Sequence, residues 1–508
     1  FPPSIRRGPP LSYRLPSHKK IPRFVARLHF GKPSGFLKMP GDGYRRREPE
    51  KTVLYRALHR HLPLFLYRAE TSGRELPGFV RNELKAFLKC GILTHGFARF
   101  ECKSCRHNHV VALSCKARGF CPSCGGRRMT ERAAHLVDEV FPNVPVRQWV
   151  LSLPIEVRYL MAFNAGLCSE ILNAFNREVF RWYRHRGKEY ANLKSMAEAR
   201  CGSVTFIQRA GSALNLNVHF HMLAIDGIYI HKDWKTPLRF LTLPAPSDAD
   251  VEDVLRRVRK RVMKILTTHS HDDTFDEFRD QEPLLAACVA GALTGPARKL
   301  GTSEPMHQEV VSKSARCASV DYYSLHANTR IRAGERKRLE KLCRYVARPP
   351  ISNELLVELV GGSIGYKLKR SWQDGTTAVV FSPQEFIQRL ASMVPPPRCH
   401  QVRYHGVLAS ASSLREFVVP ASPPKNSKRP AKNYCWAELM KRAFEIDVLE
   451  CPHCAGPMRF IACIMERDVI KAILGSMGMP ADSPAPLSSL PIPQLDFQFE
   501  ENPDWEAA

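Results

Sequence analysis

Two close cysteine pairs, Cys102-x2-Cys105 and Cys121-x2-Cys124, stand fifteen residues apart. That spacing lets two tight knuckles bring four thiolates onto one tetrahedral zinc ion, so the surrounding chain is expected to fold around a metal. A closed four-thiolate site leaves no open coordination position and serves folding, not catalysis. Cys90, His95, His107, His109 and Cys115 lie close enough to act as alternatives or to build a second site. Towards the other end, Cys451-Pro-His-Cys454 with Cys463 supplies half of a further ribbon-like site. Sixteen cysteines in a chain of 508 residues fit metal binding and buried thiols better than a disulfide framework. Single ones such as Cys168, Cys201 and Cys288 read as small core residues.

Charge gives the next constraint. The 76 Lys and Arg against 49 Asp and Glu leave a formal charge of +27, which asks for a polyanionic partner, nucleic acid ahead of a membrane surface. Lys103, Arg106, Lys116, Arg118, Arg127 and Arg128 concentrate that charge around the cysteine pairs. The functional reading is a surface for duplex or hairpin DNA; the plain one is a solvated face. No apolar run of about 18 residues and no export signal are visible, so a soluble cytoplasmic, nucleoid-associated protein is expected.

Periodicity divides the chain. Residues 1–45, rich in Pro, Gly and Arg, read as a disordered basic arm or an upstream artefact; 46–135 form a helical plus zinc-binding domain. A catalytic domain spans 136–355, a β-rich extension 356–420, a Pro, Ser and Lys-rich linker 421–432, a zinc-ribbon-like module 433–475 and a tail 476–508. Within 136–355, strands are expected at Val146–Leu153, Ser203–Gln208 and Leu216–Ile225, the last stopped by the turn pair Asp226-Gly227. Helices are expected at Leu167–Arg184, Val251–Leu266 and Gly334–Tyr345, with 267–320 hard to assign. The order predicts an α+β fold, an antiparallel sheet with helices on one face.

His219-Phe220-His221 falls inside the third strand. Alternation sends both imidazoles to one face and Phe220 into the opposite apolar layer, an arrangement able to chelate a metal. Paired histidines on a strand also occur as plain polar-face residues. The basic charge and a tyrosine on a downstream basic helix favour the metal.

Several long runs, SVTFIQRAGSALNLNVHFHMLAIDGIY, SLHA at 324–327, LCRYVARPP at 342–350, FLKCGILTHGFARFECKSC, SCKARGFCPSCGGRRM, RQWVLSLP, DGTTAVVFSP and RYHGVLA, resemble the rolling-circle HUH transposases of the insertion sequence 91-like group, its common-region branch above all. The resemblance runs from about residue 50 to 475. It implies an HUH/RRM-like core that nicks and joins single-stranded DNA through a 5′-phosphotyrosine, with Mg2+ or Mn2+ on His219 and His221. Family members often carry two tyrosines one helical turn apart; here the second matches Tyr345, while Lys341 replaces the first. The resemblance therefore implies a single-tyrosine enzyme with Tyr345 as nucleophile and Tyr322 or Tyr323 as the fallback.

Two imidazoles hold a hard ion weakly, so a third ligand is expected from His326, Gln208 or Asn217, with His326 slightly favoured. Arg344 and Arg348 flank the tyrosine and, with Lys341, are candidates for binding DNA phosphates. A relaxase or replication initiator would share this chemistry, but the zinc module and transposase-like runs favour a transposase. A zinc-dependent DNA-binding protein without catalysis, a repressor or decayed transposase, is the alternative of another class. Metal-dependent cleavage of single strands separates the two.

Overall fold

A computed structural model describes residues 47–269, 280–293, 298–301, 315–372, 374–420, 436–444 and 449–484. The expected arm at 1–45, the linker at 421–432 and the tail beyond 484 lie outside the described residues. The chain opens on α1 (Val53–Thr71), where the Thr52 side chain accepts a hydrogen bond from the Tyr55 amide, and α2 (Gly78–Phe87). Leu54, Leu58 and Leu62 of α1, and Val80 and Leu84 of α2, recur at helical spacing and are buried. A hairpin of β1 (Phe97–Cys102) and β2 (Asn108–Ala112) leads to α3 (Pro122–His135) and a π-helical turn, Leu136–Val140.

The centre follows as β3 (Val146–Ser152), α4 (Ile155–Phe163), α5 (Ala165–Tyr190), β4 (Ala199–Arg200), β5 (Gly202–Ala210) and β6 (Leu216–Ile225). Next come β7 (Gly227–Ile230), β8 (Arg239–Thr242), α6 (Asp248–His269), α7 (Pro283–Leu293) and β9 (Arg298–Gly301). Then β10 (Cys317–Val320), β11 (Tyr323–His326), β12 (Arg330–Ile331) and α8 (Arg336–Val346) complete the tyrosine-bearing region. Beyond it lie β13 (Leu356–Glu358), β14 (Ile364–Lys367), β15 (Thr376–Phe381), α9 (Pro383–Met393), β16 (Val402–Gly406) and α10 (Arg415–Val418). The last elements are α11 (Trp436–Phe444), β17 (Met458–Ile464) and α12 (Arg467–Ser476). The segment 267–320, illegible in sequence, thus supplies a helix and two strands among its described residues.

The central seven-stranded sheet runs β10-β11-β3-β6-β5-β16, with β12 beside β3, and its pairings are antiparallel. The α+β class follows. On one face Val218, Phe220 and Met222 pack with Trp149 against α5, and Phe220 stacks on Phe175 with ring centroids 6.3 Å apart. The opposite face carries helices as well. There Val204, Phe206, Leu223 and Ile225 lie under Leu339, Leu342, Cys343 and Val346 of α8, with Ala133 of α3 beside them. Those α8 residues form an i, i+3, i+4, i+7 stripe, so burying them holds the helix across the sheet. Leu223 and Ile225 continue the same strand face as His219 and His221, which places the histidines at the margin of this roof.

Strand β6 ends at Ile225 with a bend at Asp226, as expected, but the Asp226 side chain is buried. Arg147 donates to both of its carboxylate oxygens at 2.8 and 2.9 Å, Arg330 donates at 2.7 Å and the Tyr183 hydroxyl at 3.1 Å. After the bend at Asp226 the chain enters β7, which joins a separate β4-β7-β8 sheet. A Cβ on Gly227 would lie 2.2 Å from the Leu241 carbonyl oxygen, so the glycine serves a close strand approach. The Arg147 and Asp226 side chains are 2% and 1% exposed, and removing one partner leaves a buried charge uncompensated. Asp226→Ala is therefore expected to lower folding stability by about 3–5 kcal/mol. Urea unfolding measures this; a loss below about 1 kcal/mol would contradict the assigned role.

The expected module at 433–475 is not self-contained. β17 pairs with β1 from Phe97 opposite Ile464 to Cys102 opposite Met458, giving the sheet β17-β1-β2. Ile470 and Leu474 of α12 bury against Leu93, Phe97 and Val110. Sequence spacing cannot show such pairing, because it joins strands more than 300 residues apart.

Candidate active site and zinc centres

The four cysteines read as a single site do not converge. Cys121 and Cys124 join Cys90 and Cys115, whereas Cys102 and Cys105 join Cys451 and Cys454. The reason lies in the elements that carry them. Cys121 is the N-cap of α3 and Cys124 lies in its first turn, facing Cys90 just beyond α2. Cys102 ends β1, whose outer neighbour is β17.

In the first group Cys90–Cys124, Cys90–Cys121 and Cys115–Cys124 sulfurs are 3.8, 3.7 and 3.5 Å apart. In the second, Cys102–Cys454 and Cys105–Cys451 are 3.5 and 3.7 Å apart. A tetrahedral ion with Zn–S bonds of about 2.3 Å needs sulfur–sulfur edges near 3.8 Å, while a disulfide needs about 2.05 Å. Both groups fit structural zinc. Hydrogen bonds from Cys115, Cys121 and Cys90 push the Cys124 thiol far below its ordinary range, and its place at a helix N-terminus favours the anion further. The backbone N–H of Cys105 holds Cys102 down to about 6. His95, His107 and His109 enter neither group.

The first zinc group bears on the tyrosine. A Cβ on Gly125, next to Cys124, would lie 2.6 Å from the Pro349 side chain, so α3 touches the Pro349-Pro350 loop that follows α8. The zinc-held start of α3 thus buttresses the loop leaving the tyrosine helix.

On the sheet, His219 and His221 share a face with ring centroids 4.9 Å apart. His219 Nδ1–H donates to the Asn217 carbonyl at 2.7 Å, which fixes the tautomer and leaves Nε2 as the basic nitrogen. His221 Nδ1 lies 2.7 Å from the buried Gln148 amide nitrogen. With the amide turned over, Gln148 Oε1 accepts from Nδ1–H and Nε2 is again the free donor atom. Burial is the main cause that pushes His219 down to about 4 and His221 to about 3, with Arg348 adding to both. Both rings are therefore neutral at ordinary pH, the form that binds metals.

The Tyr345 ring stands 6.4 Å from that of His221, nearly perpendicular, and is half exposed. The Arg348 guanidinium lies over it, 4.5 Å from its centroid. Lys341 is exposed one turn earlier. Arg344 is ion-paired with Glu340 at 2.5 Å, and Glu340 is held by Arg442 as well. Tyr323 is buried in the core on the other face of the sheet, its hydroxyl against Met263, and Tyr322 is 88% exposed at the hairpin turn.

Of the expected third ligands, Gln208 stands directly opposite His219, with its Nε2 donating to the Val346 carbonyl at 2.5 Å and its Oε1 left available. Asn217 shares the histidine face, and its Oδ1 is buried without a hydrogen-bond partner. His326 shares that face too, but Val150 of β3 intervenes between it and His221. It forms no three-ligand group with the histidines among the described residues. Oxygen donors thus fit a hard divalent ion better than the favoured imidazole.

A cleft beside the tyrosine is lined by Arg118, Arg128, Arg132, Arg209, Arg348 and Lys369. None of these six forms an ion pair with a carboxylate among the described residues. Burial followed by the neighbouring Arg128 lowers the Arg132 pKa, and burial followed by Arg348 lowers that of Lys369. That much positive charge in one groove, offset in part by Glu83 near Arg118 and Arg128, suits a polyphosphate chain. Neither Gln148 nor this cleft was visible in sequence. The pleat of β3 puts Gln148 on the same face as Val150, but the register that brings it to His221 is a tertiary fact.

Comparison with known proteins agrees with this layout. A family model described as "Transposase zinc-binding domain" matches residues 58–153, and one described as "Putative transposase" matches 202–415. The transposase for insertion sequence element IS801 of Pseudomonas savastanoi pv. phaseolicola is 21% identical over 394 residues, covering 74% of this chain and 82% of that protein. The putative transposase y4qJ of Sinorhizobium fredii is 28% identical over 131 residues, 24% of this chain and 32% of that one. No solved structure matches significantly. A zinc-bearing module joined to an α+β core of this kind defines a DNA-processing transposase. The chain is thus similar to transposases of the insertion sequence 91 type over both its zinc-binding region and its core. No helix among the described residues is long and apolar enough to cross a membrane.

Proposed function

We propose that this transposase nicks and joins single-stranded DNA, with Tyr345 as nucleophile and His219 and His221 as ligands of Mg2+ or Mn2+. The observation that carries the reading is the pair of neutral imidazoles, with their Nδ1 atoms engaged, beside the tyrosine ring. Asn217 Oδ1 and Gln208 Oε1 complete the donor set. A divalent cation bound there polarises the scissile phosphate.

The Tyr345 oxygen attacks phosphorus, the bond to the 3′ oxygen breaks, and that oxygen leaves as a hydroxyl carrying the proton lost by tyrosine. The product is a 5′-phosphotyrosine and a free 3′ end. Attack of another 3′ hydroxyl on that linkage reverses the step, joins the strands and frees the tyrosine. Arg348 steadies the ring and faces the phosphate, and Gln148 holds the His221 ring. Nucleoid association follows from the DNA bound.

Incubation of the protein with a labelled single-stranded element end and Mn2+ is expected to give a nick and a detergent-stable protein–DNA complex, both lost with chelator. Binding without cleavage under any divalent ion would overturn the reading in favour of a DNA-binding protein. If the six cations of the cleft each meet a phosphate, single-strand affinity should fall about two to three orders of magnitude between about 50 and 200 mM salt. Affinity that stays level over that range would rule the cleft out as the DNA path.

A further inference from the structure

We propose that Cys102, Cys105, Cys451 and Cys454 bind a second zinc ion that clasps the C-terminal segment onto the N-terminal module. This inference rests on the cysteine geometry and is independent of the nicking chemistry. Cys451 and Cys454 lie beyond both family-matched regions, 58–153 and 202–415, and are brought to Cys105 and Cys102 across 346 and 352 residues.

The two half-sites are built alike. The Cys102 amide donates to the His107 carbonyl at 2.8 Å, as the Cys451 amide does to Gly456 at 2.8 Å. The Arg106 amide returns to the Cys102 carbonyl at 3.1 Å, and that of Ala455 to Cys451 at 2.9 Å. Arg106 and Ala455 are both left-handed, at φ 59° and 57°. Each pair is therefore a tight knuckle that aims two sulfurs at a common point, and the two knuckles face each other. The Lys103 amide donates to the Pro457 carbonyl at 3.1 Å, and His107 stacks on His453 at 5.9 Å. A Cβ on Gly456 would sit 2.6 Å from Ser104 Oγ and 3.2 Å from Cys102 Sγ, so a larger residue there would have to push Ser104 aside.

Apolar burial at this end of the contact is small. Cys102, Cys451 and Met458 form the whole local cluster, with Phe100 beside it, while Phe460 and Ile461 of β17 stay exposed. Four sulfurs aimed at one point with little core around them require an ion to hold the knuckles together. The helix before the clasp supplies the consequence. Arg442 of α11 donates to Glu340 of the tyrosine helix at 2.8 Å and to Asp138 at 3.0 Å. The segment tied down by zinc at one end therefore reaches α8 at the other. Cys105 and Cys454 are exposed, whereas Cys90, Cys121 and Cys124 are buried, so a chelator should strip the clasp before the first site.

The test uses the full chain with a site-specific protease sequence inserted within 421–432. Metal analysis should find two zinc ions per chain, falling to one in the Cys451→Ser, Cys454→Ser double variant and staying at two in the Cys463→Ser control. After cleavage, the C-terminal fragment should co-elute with the remainder while zinc is bound, and separate on mild chelation or in the double variant. One zinc in the parent protein, or a fragment that stays attached after the clasp zinc is gone, would overturn the proposal.

Discussion

Tyr345→Phe is expected to abolish both strand nicking and the covalent adduct, a loss of about 10⁴-fold or more, the scale on which deleting an enzymatic nucleophile acts. The substitution removes one oxygen from a half-exposed ring. The Arg348 contact is to the ring face, and the apolar stripe that seats α8 lies on Leu339, Leu342, Cys343 and Val346, so neither depends on that oxygen. Zinc content, thermal stability and single-strand affinity should consequently stay near the parent values. A variant that lost zinc or unfolded would report damage to the α3 buttress, not chemistry; one that nicked at the parental rate would remove Tyr345 from the role. Lys341→Ala, one turn away, is expected to weaken cleavage or binding while the adduct still forms.

His221→Ala should lower nicking by about 10²–10³-fold, the usual effect of losing one group that stabilises a developing oxyanion. Its origin differs from that of Tyr345→Phe. The alanine removes one of two imidazoles and leaves Gln148 without its partner, so the divalent-ion requirement should shift to higher concentration, and excess Mn2+ should restore part of the rate. His219→Ala should behave alike. No concentration of Mn2+ should rescue Tyr345→Phe, because there the reacting atom itself is missing. Titrating nicking against Mn2+ in the three variants separates the roles; equal metal dependence in the parent and both histidine variants would remove the metal from these rings.

Much of this layout was legible in the sequence because it rests on local periodicity. Alternation along Leu216–Ile225 placed Phe220 in the core and both histidines on the other face, and helical spacing before Pro349-Pro350 placed Tyr345 at the end of a basic helix. What failed depends on contacts between distant segments. A CxxC pair names two ligands but not their partners, so Cys102/Cys105 and Cys121/Cys124 looked like one site when β17 and α2 divide them. Asp226-Gly227 does end the strand, but its turn-like composition gives no sign that Arg147 and Arg330 draw the carboxylate into the core. His326 shares the histidine face only at the distance of an intervening strand, a matter of register.

The central claim is a covalent bond between one tyrosine and the 5′ end of cut DNA. Protein should be reacted with a single-stranded element end and Mn2+, digested, and the peptide–oligonucleotide adduct sequenced by mass spectrometry. The account predicts a single adduct, on the peptide containing Tyr345, carried as a 5′-phosphodiester on that residue. An adduct on Tyr322 or Tyr323, or nicked DNA with no adduct at all, would contradict it.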